Sequence, residues 1–320
     1  MSTPPAPDNA FSVSVVIPSR NAACWLERAL DSVSKQSVLA TEVILIDDGS
    51  TDGTPEVARN HPLKITINQV NLSNAAAARN IGIEQASGKW IAFLDADDEW
   101  YPHHLERVAL ADRAGDIGYL NVFDRIYADS DAIHAVPQPA NWPMHLTHGL
   151  TGDYFVHAYL RAKWFPGMSG LAMQKELLKH IGGLDPKQLR RHDIEVWLRA
   201  LSHGGKWTFD DTPGNKYRAD TPGAISRNLA SRELYLLHAV LSVANLYQED
   251  EINSLVKQCS RRALATALTD GGTSDIRKAY EEAIPYASTL DRYMFLFFKR
   301  VPQLFRALNL LRRQIVKLGN

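Results

Sequence analysis

Short β-branched runs alternate with stretches of helical spacing through the first hundred residues, and each apolar run stops at polar residues. Val13 to Ile17 (VSVVI) reads as a strand that stops at Pro18. Behind it Trp25, Leu26, Ala29, Leu30 and Val33 recur at steps of three and four, the spacing of one helix face. Glu42 to Ile46 reads as a second strand, ending at Asp47 and Asp48. Thr54 stands where a helix N-cap would, with Pro55 in the first helical position and Glu56 in the first turn. Lys64 to Asn68 is the third strand. Asn74 caps a helix that opens on Ala75 to Ala78, strong helix formers, runs to about Ala86 and ends at Gly88. Trp90 to Leu94 is the fourth strand.

Strands alternating with helices predict an α/β fold with a mostly parallel sheet, covered on both faces. Ligands bind at the carboxyl ends of such strands. The polar clusters fall there: Ser19-Arg20-Asn21, Asp47-Asp48-Gly49-Ser50 and Asp95-Ala96-Asp97-Asp98. The last is the most informative, because a buried strand delivers three carboxylates to the open end of the sheet. Asp95 and Asp97 point the same way if the strand continues. Oxygen ligands there suit a hard divalent cation, Mg²⁺ or Mn²⁺, which in turn can hold a diphosphate. The same acids also suit a polar loop that caps the next helix.

Residues 103 to 230 are less regular. Pro, Gly, Trp and His crowd Pro137 to Gly170, which predicts long loops over the same face of the sheet. Glu176 to His180 reads as a short helix ending at Gly182-Gly183. His192 to Ser202 (HDIEVWLRALS) reads as a helix with Ile194, Trp197, Leu198 and Leu201 on one face. From about Asn228 long helical patterns run to the end. The expected organisation is a leader at 1–10, a main domain at 11–228 and a helical region at 229–320. The main domain divides into two halves, about 11–102 and about 103–228.

Composition narrows the class. The chain has 320 residues, 45% of them apolar, enough to bury a proper core. Its net charge of -1 argues against a general nucleic-acid binder. Cys24 and Cys259 stand far apart, so no disulfide framework is implied and a reducing compartment fits. The first ten residues, MSTPPAPDNA, lack the basic and apolar regions of a signal peptide. No apolar run has the length of a membrane span. His103-His104 and His145-x-x-His148 lack the companion ligands of a zinc site. Trp142, Trp164 and Phe165 suit an aromatic acceptor platform or loop packing.

Seven segments, in order, resemble the family 2 glycosyltransferases of GT-A fold over roughly Ser12 to Ser226. They are VSVVIPSRN, EVILIDDGSTDGT, NAAAARNIGI, FLDADDEWYP, HIGGLDP, HDIEVWLRA and KYRADTPGAIS. The resemblance implies an inverting transfer of a sugar from a nucleoside-diphosphate sugar, UDP by family habit with dTDP and GDP open, to an acceptor hydroxyl. It also implies a place in bacterial polysaccharide or lipopolysaccharide synthesis, with a saccharide or lipid-linked saccharide as acceptor. It further implies that the half at about 11–102 is a nucleotide half and the half at about 103–228 an acceptor half. By motif position Asp97 is the metal ligand and Asp193 the general base, on the face opposite the leaving group. Glu195 competes with Asp193, although residues two apart on a helix do not share a face. Asp95 faces the sugar or ribose; Asp98 is a weaker ligand that suits a helix cap. Asp47 or Asp48 accepts the uracil imide N–H, with Pro18, Ser19 and Asn21 on the base or ribose. Arg79 approaches the base or phosphate, or pairs internally with Asp47 or Asp48. Arg20 replaces a frequent aromatic. His192 departs from the usual Glu, and with Glu195, Tyr217 and Arg218 is a candidate acceptor or diphosphate contact. Asp220 departs from a frequent histidine.

Two other classes compete. A nucleotidyltransferase would want a Gly-rich basic loop after the first strand, and PSRNAACW has no glycine. An inert binding module would not need Asp97 and Asp193. Finally, Arg292 to Asn320 carries seven basic residues and no acid, interleaved with Phe and Leu and divided by Pro302. That pattern suits either an interfacial helix on an anionic membrane or a helix docked on the main domain with its basic side in water. The expected location is the cytoplasm, with the inner face of the cell membrane favoured by the first of these readings.

Overall fold

The computed structural model describes residues 10–127, 130–135, 147–151, 167–219, 229–247, 249–270, 278, 281–298, 300 and 303. The chain divides into two compact units, Met1–Pro222 and Gly223–Asn320.

The first unit is built on one mixed sheet. Its strands are β1 (Val13–Ser19), β2 (Glu42–Asp48), β3 (Ile65–Val70), β4 (Trp90–Phe93), β5 (Glu99–Trp100), β6 (Gly118–Tyr127), β7 (Ser130–Ala135), β8 (Thr147–Leu150), β9 (Leu171–Gln174) and β10 (Trp207–Arg218). The order along the sheet is β3-β2-β1-β4-β9-β6-β10-β5, with β7 on β6 and β8 on β10. β3, β2, β1 and β4 are parallel neighbours, β6 and β10 pair in parallel, and β9 runs against both β4 and β6. Six strands therefore share one direction, and their carboxyl ends form one edge. In β1, β2 and β4 almost every side chain is buried, as expected where both faces are covered.

Four helices follow the first four strands or their turns: α1 (Leu26–Ser34), α2 (Thr54–Asn60), α3 (Ala75–Gln85) and α4 (His104–Arg113). α1 buries Leu26, Ala29, Leu30 and Val33 on the face the spacing predicts, against Val13, Val15, Ile17 and Leu45. Asn74 caps α3 as expected, its side chain accepting from the Ala77 N–H at 3.0 Å. Thr54 does not cap α2. Gly53, left-handed at φ 83°, holds that position, while the buried Thr54 hydroxyl donates to Asp52 and accepts from the Ala22 N–H. Nor is Gly88 a left-handed helix stop. α3 already leaves the helix at Ala86, and a Cβ at Gly88 would lie 2.7 Å from Ser14 N, so glycine is needed there for close approach.

The second half of this unit adds α5 (Lys175–His180) and α6 (His192–Ser202). β6, β9 and β10, which the sequence pattern does not announce, form its sheet core. Most of Pro137 to Gly170 lies outside the described residues, and so do Trp142, Trp164, Phe165, His145 and Asp220.

The second unit contains α7 (Leu229–Ser242), α8 (Glu249–Asp270) and α9 (Thr289–Phe298). α7 packs along α8, and Leu236, Leu237, Val240, Leu255, Cys259, Ala263 and Phe295 are buried within it. Arg262 pairs with the buried Glu233 at 2.9 Å, and the Ser260 hydroxyl donates to the Ala283 carbonyl at 2.7 Å. Among the described residues no helix is long and apolar enough to cross a membrane.

His104, at the start of α4, supplies a test of the core. It is fully buried, stacked 4.3 Å from the Trp100 ring, and neither ring nitrogen has a hydrogen-bond partner. Burial, with His103 beside it, depresses its pKa to about 3. A histidine depressed in the fold takes its proton first in the unfolded chain. Its contribution is therefore complete above about pH 6.5, the unfolded value, and is lost as pH falls toward 3. His104→Phe keeps the stacking and removes the titration. The expected result is a urea midpoint close to that of the wild type at neutral pH and a shallower decline between pH 6.5 and 4. Equal declines in the two proteins would contradict it.

Candidate active site

The carboxyl ends of β1, β2 and β4 bring three polar turns together. Ser19 and Asp47 are register partners across β1 and β2. Both are buried, and Ser19 Oγ and Asp47 Oδ1 lack hydrogen-bond partners. Asp48 is committed to the backbone. Its carboxylate accepts the main-chain N–H groups of Leu72, Ser73 and Asn74 and so shapes the turn into α3. Asn21 sits left-handed at φ 51°, where Asn is tolerated. Its N–H donates to Ser50 Oγ, and its Oδ1 accepts from the Thr51 N–H at 2.8 Å, tying the β1 and β2 turns together. Arg20 reaches the Ser73 hydroxyl at 2.6 Å. Pro18 is half-buried beside them.

The three acids after β4 have three environments. Asp95 is part-exposed and ion-paired with Arg79. Asp97 is half-buried. Asp98 is buried: it accepts the Ser169 hydroxyl at 2.6 Å and the Arg218 N–H at 3.0 Å, and its own N–H donates to the Asp95 carbonyl. Burial, with Asp97 and Asp95 close by, pushes its pKa well up. Asp98 is thus neither the cap of α4 nor a surface ligand. It clamps the acidic turn to the 168–170 turn and the end of β10. Ser169 completes the clamp by accepting the Asp95 N–H at 3.0 Å.

Arg79 joins the two halves of the unit. Its side chain is only 4% exposed. One terminal nitrogen pairs with Asp95; the other meets His192 Nε2 at 2.8 Å and the Ala75 carbonyl at 3.3 Å. A guanidinium only donates, so His192 Nε2 must accept, and its tautomer carries the proton on Nδ1. Burial first, then the Arg79 charge, lower the His192 pKa to about 3, so the ring is neutral at physiological pH. The expected pairing of Arg79 with Asp47 or Asp48 is not formed; Asp95 takes that place.

Asp193 follows His192 at the start of α6. Burial raises its pKa, and Asp95 adds to the rise, while Arg191, Arg79 and the Ile194 N–H oppose it. Arg79, paired with Asp95 and bonded to His192, brings the acidic turn close to the start of α6. Arg191 was not anticipated. It occupies the N-cap in a left-handed conformation at φ 59°, unusual for a non-glycine residue, and supplies the main cationic influence on Asp193. The paired arginines before His192-Asp193 were the available signal.

Glu195 is built for something else. It is 2% exposed and grips Arg199 through both oxygens, at 2.7 and 2.9 Å. Arg199 in turn donates to the Ile181 and Gly183 carbonyls. From the other side Asn80 exchanges two 2.8 Å bonds with the Leu184 backbone, and Asn74 donates to the Pro186 carbonyl. The Gly182-Gly183 turn, left-handed at both residues, is therefore fixed between α3 and α6. Glu195 corrects two expectations at once: it is neither a competing base nor an acceptor contact, because its carboxylate is turned into the protein.

Arg218, at the end of β10, is buried, with its guanidinium 4.4 Å from the Trp25 ring and 3.6 Å from Glu99. Its Nε has no hydrogen-bond partner. Tyr217 lies against Phe123 with ring centres 5.5 Å apart. Among the described residues no three His, Cys, Asp or Glu side chains form a ready-made metal cluster.

Residues 14–171 match the family described as Glycosyl transferase family 2. That match spans 158 of the 320 residues. An uncharacterized glycosyltransferase of Nostoc sp. is 34% identical over 186 residues, 56% of this chain and 56% of that protein. The putative teichuronic acid biosynthesis glycosyltransferase TuaG of Bacillus subtilis is 42% identical over 99 residues, 30% of this chain and 39% of that protein. The chain thus spans about half or less of these curated relatives. Amylovoran biosynthesis glycosyltransferase AmsB of Erwinia amylovora is 28% identical over 222 residues, 66% of this chain and 71% of its own length. The fold is that of GT-A glycosyltransferases. Crystalline S. aureus TarS 1-349 in complex with UDP-GlcNAc superposes with TM-score 0.67 at 17% identity, covering 95% of this chain and 92% of that one. A mannosyltransferase of Pyrobaculum calidifontis, in complex with GDP-Man and Mn²⁺, gives 0.58 at 19%, covering 96% and 89%.

The different environments of the two helix-start acids predict opposite behaviour. Glu195→Ala leaves the part-buried Arg199 without its partner and is expected to cost about 3–5 kcal/mol in unfolding free energy. Asp193→Asn removes a carboxylate that burial disfavours, and is expected to leave stability within about 1 kcal/mol of wild type or to raise it. Denaturant titrations of the two variants check this; a larger loss for Asp193→Asn would reverse the assignment.

Proposed function

We propose that the protein is an inverting glycosyltransferase that moves a sugar from a nucleoside-diphosphate sugar, UDP in the first instance, to an acceptor hydroxyl. The observation that carries this reading is the bridge from Asp95 through Arg79 to His192. It holds Asp193 across from the acidic turn that follows β4.

In this reading Asp193 is the base. The acceptor oxygen attacks the anomeric carbon, its proton passes to the Asp193 carboxylate, and the bond from that carbon to the diphosphate oxygen breaks on the opposite face. A carboxylate whose pKa is raised is a better proton acceptor than an ordinary surface aspartate. The start of α6 belongs to the acceptor side and the ends of β1 and β2 to the nucleotide. There Asp47 Oδ1 and Ser19 Oγ have hydrogen-bonding capacity to offer a base or ribose, with Pro18 and Asn21 framing it. Asp48 acts by shaping the 72–74 turn, keeping about one acceptor site beyond the three it uses. Asp95 orients toward the sugar or ribose while paired with Arg79.

The acidic turn suits Mg²⁺ or Mn²⁺. Such ions are usually held by one or two carboxylates together with substrate phosphates and water, so a prebuilt three-ligand cluster is not required. Asp97 is the carboxylate we assign to it, by its place in the acidic turn and its partial exposure, where Asp98 is enclosed. When bound, the ion neutralises charge developing on the leaving diphosphate.

The names of TuaG and AmsB support a role in assembling cell-surface polysaccharide, with a saccharide or lipid-linked saccharide as acceptor at the cytoplasmic face. The inert-module reading is separated from this one by transfer itself. Asp193→Ala is expected to lower the rate of sugar transfer about a hundred- to ten-thousandfold while UDP still binds, as read by calorimetry. Asp97→Ala and EDTA should each weaken both transfer and UDP binding, with Mn²⁺ restoring only the wild type. Because the base must be ionised, wild-type transfer should fall as pH drops through the raised Asp193 pKa, above the usual carboxylate range. Normal transfer by Asp193→Ala would refute the assignment.

A further inference from the structure

We propose that the second unit carries a docking face for an anionic lipid surface, centred on α9. Leu290, Tyr293, Met294 and Phe297 recur at steps of three and four along this helix, and so lie on one side of it. They are 67%, 69%, 46% and 58% exposed. The opposite side is already used: Phe295 and Phe298 are buried. α9 thus has apolar side chains both on its packed side and on the side that faces water. Isolated exposed apolar residues need no explanation, but four in a helical row do.

The occupant follows from charge. From Arg292 to Asn320 the chain has Arg292, Lys299, Arg300, Arg306, Arg312, Arg313 and Lys317, and no aspartate or glutamate. The only acid on α9, Asp291, is held by Arg261 at 2.9 Å and by the Ser288 hydroxyl. A protein partner could cover the apolar row, yet the uniform positive charge that continues from it matches the anionic headgroups of a bilayer. An apolar strip with an interfacial tyrosine, continued by basic sequence, is the composition of a peripheral membrane helix. One such strip binds reversibly; the basic residues add the second attachment that stable association needs. Nothing in this surface depends on the transferase activity proposed above.

The test uses the full chain and sedimentation with phosphatidylcholine vesicles, with and without phosphatidylglycerol. Binding is expected only to the vesicles containing phosphatidylglycerol, and is expected to weaken as salt screens the basic residues. Tyr293→Ser with Phe297→Ser alters exposed side chains only, so the melting temperature should hold while vesicle binding falls about tenfold or more. Arg312→Glu with Arg313→Glu should lower it to a similar degree. Failure of the wild type to bind these vesicles, or binding that neither double variant weakens, overturns the proposal. A concentration-dependent dimer by light scattering that the Tyr293/Phe297 variant abolishes, without vesicle binding, would assign the row to a second copy of the chain instead.

Discussion

The guanidinium of Arg79 is the contact on which the site depends. A buried cation is costly unless its charge is matched and its donors are satisfied, and few residues can do both within a fold. Arg79 meets most of the requirement by drawing on two distant segments, with only its Nε left without a hydrogen-bond partner. Asp95 balances its charge from the end of β4, and His192 accepts its second terminal nitrogen from the start of α6. Separated by 113 positions in the chain, Arg79 and His192 are thereby joined at 2.8 Å. Electrostatics also fixes the state of the histidine. A neighbouring guanidinium and burial both disfavour an imidazolium, so His192 acts as an acceptor and Asp193 has no second cation beside it on α6. The main cation acting on Asp193 is Arg191, just ahead of the helix.

One contact of that kind would not hold a helix in place. The entry to α6 is fixed independently by the glycine turn, gripped by Asn80 from α3 and by Arg199 from α6 itself. Gly183 shows why the turn has to be small. It is left-handed at φ 71°, and a Cβ there would come within 2.5 Å of Asn80 Oδ1. Glu195 then has a structural role, since it matches the charge of Arg199 and so lets a part-buried guanidinium serve backbone carbonyls. Two acids two positions apart on one helix, alike in the sequence, thus act in opposite directions. Glu195 supports the scaffold, and Asp193 is the acid proposed for the site.

This division explains how much could be read in advance. The strand–helix alternation of the first hundred residues was legible because its strands are short, β-branched and buried on both faces. Helices α1 and α3 were legible because their periodicity or cap is local. β6, β9 and β10 were missed because LAMQ and the mixed polar run of β10 carry no clean pattern; they become strands by pairing with one another. The helix that carries Asp193 was legible from the spacing of HDIEVWLRALS, and helix geometry already set Glu195 on a different face from Asp193. The Arg79–Asp95 pair, the enclosure of Asp98 and the stacking of Arg218 on Trp25 were not legible. Each joins residues whose sequence neighbours give no hint of the partner, and local patterns do not encode such contacts.

The same logic of matched charge governs the three acids after β4. Placing Asp95, Asp97 and Asp98 within a single turn concentrates like charge, and the outer two are relieved in different ways. Asp95 is relieved by a cation. Asp98 is relieved by burial, which favours its protonated form, and by the hydrogen bonds of Ser169 and Arg218. Asp97 lies half-buried between them, less enclosed than Asp98. A nucleoside diphosphate brought to the same edge would add further negative charge beside it. An Asp97 carboxylate and a diphosphate can be neighbours at low energetic cost only if a cation lies between them. The divalent ion proposed for Asp97 would supply that cation and would be shared with the substrate.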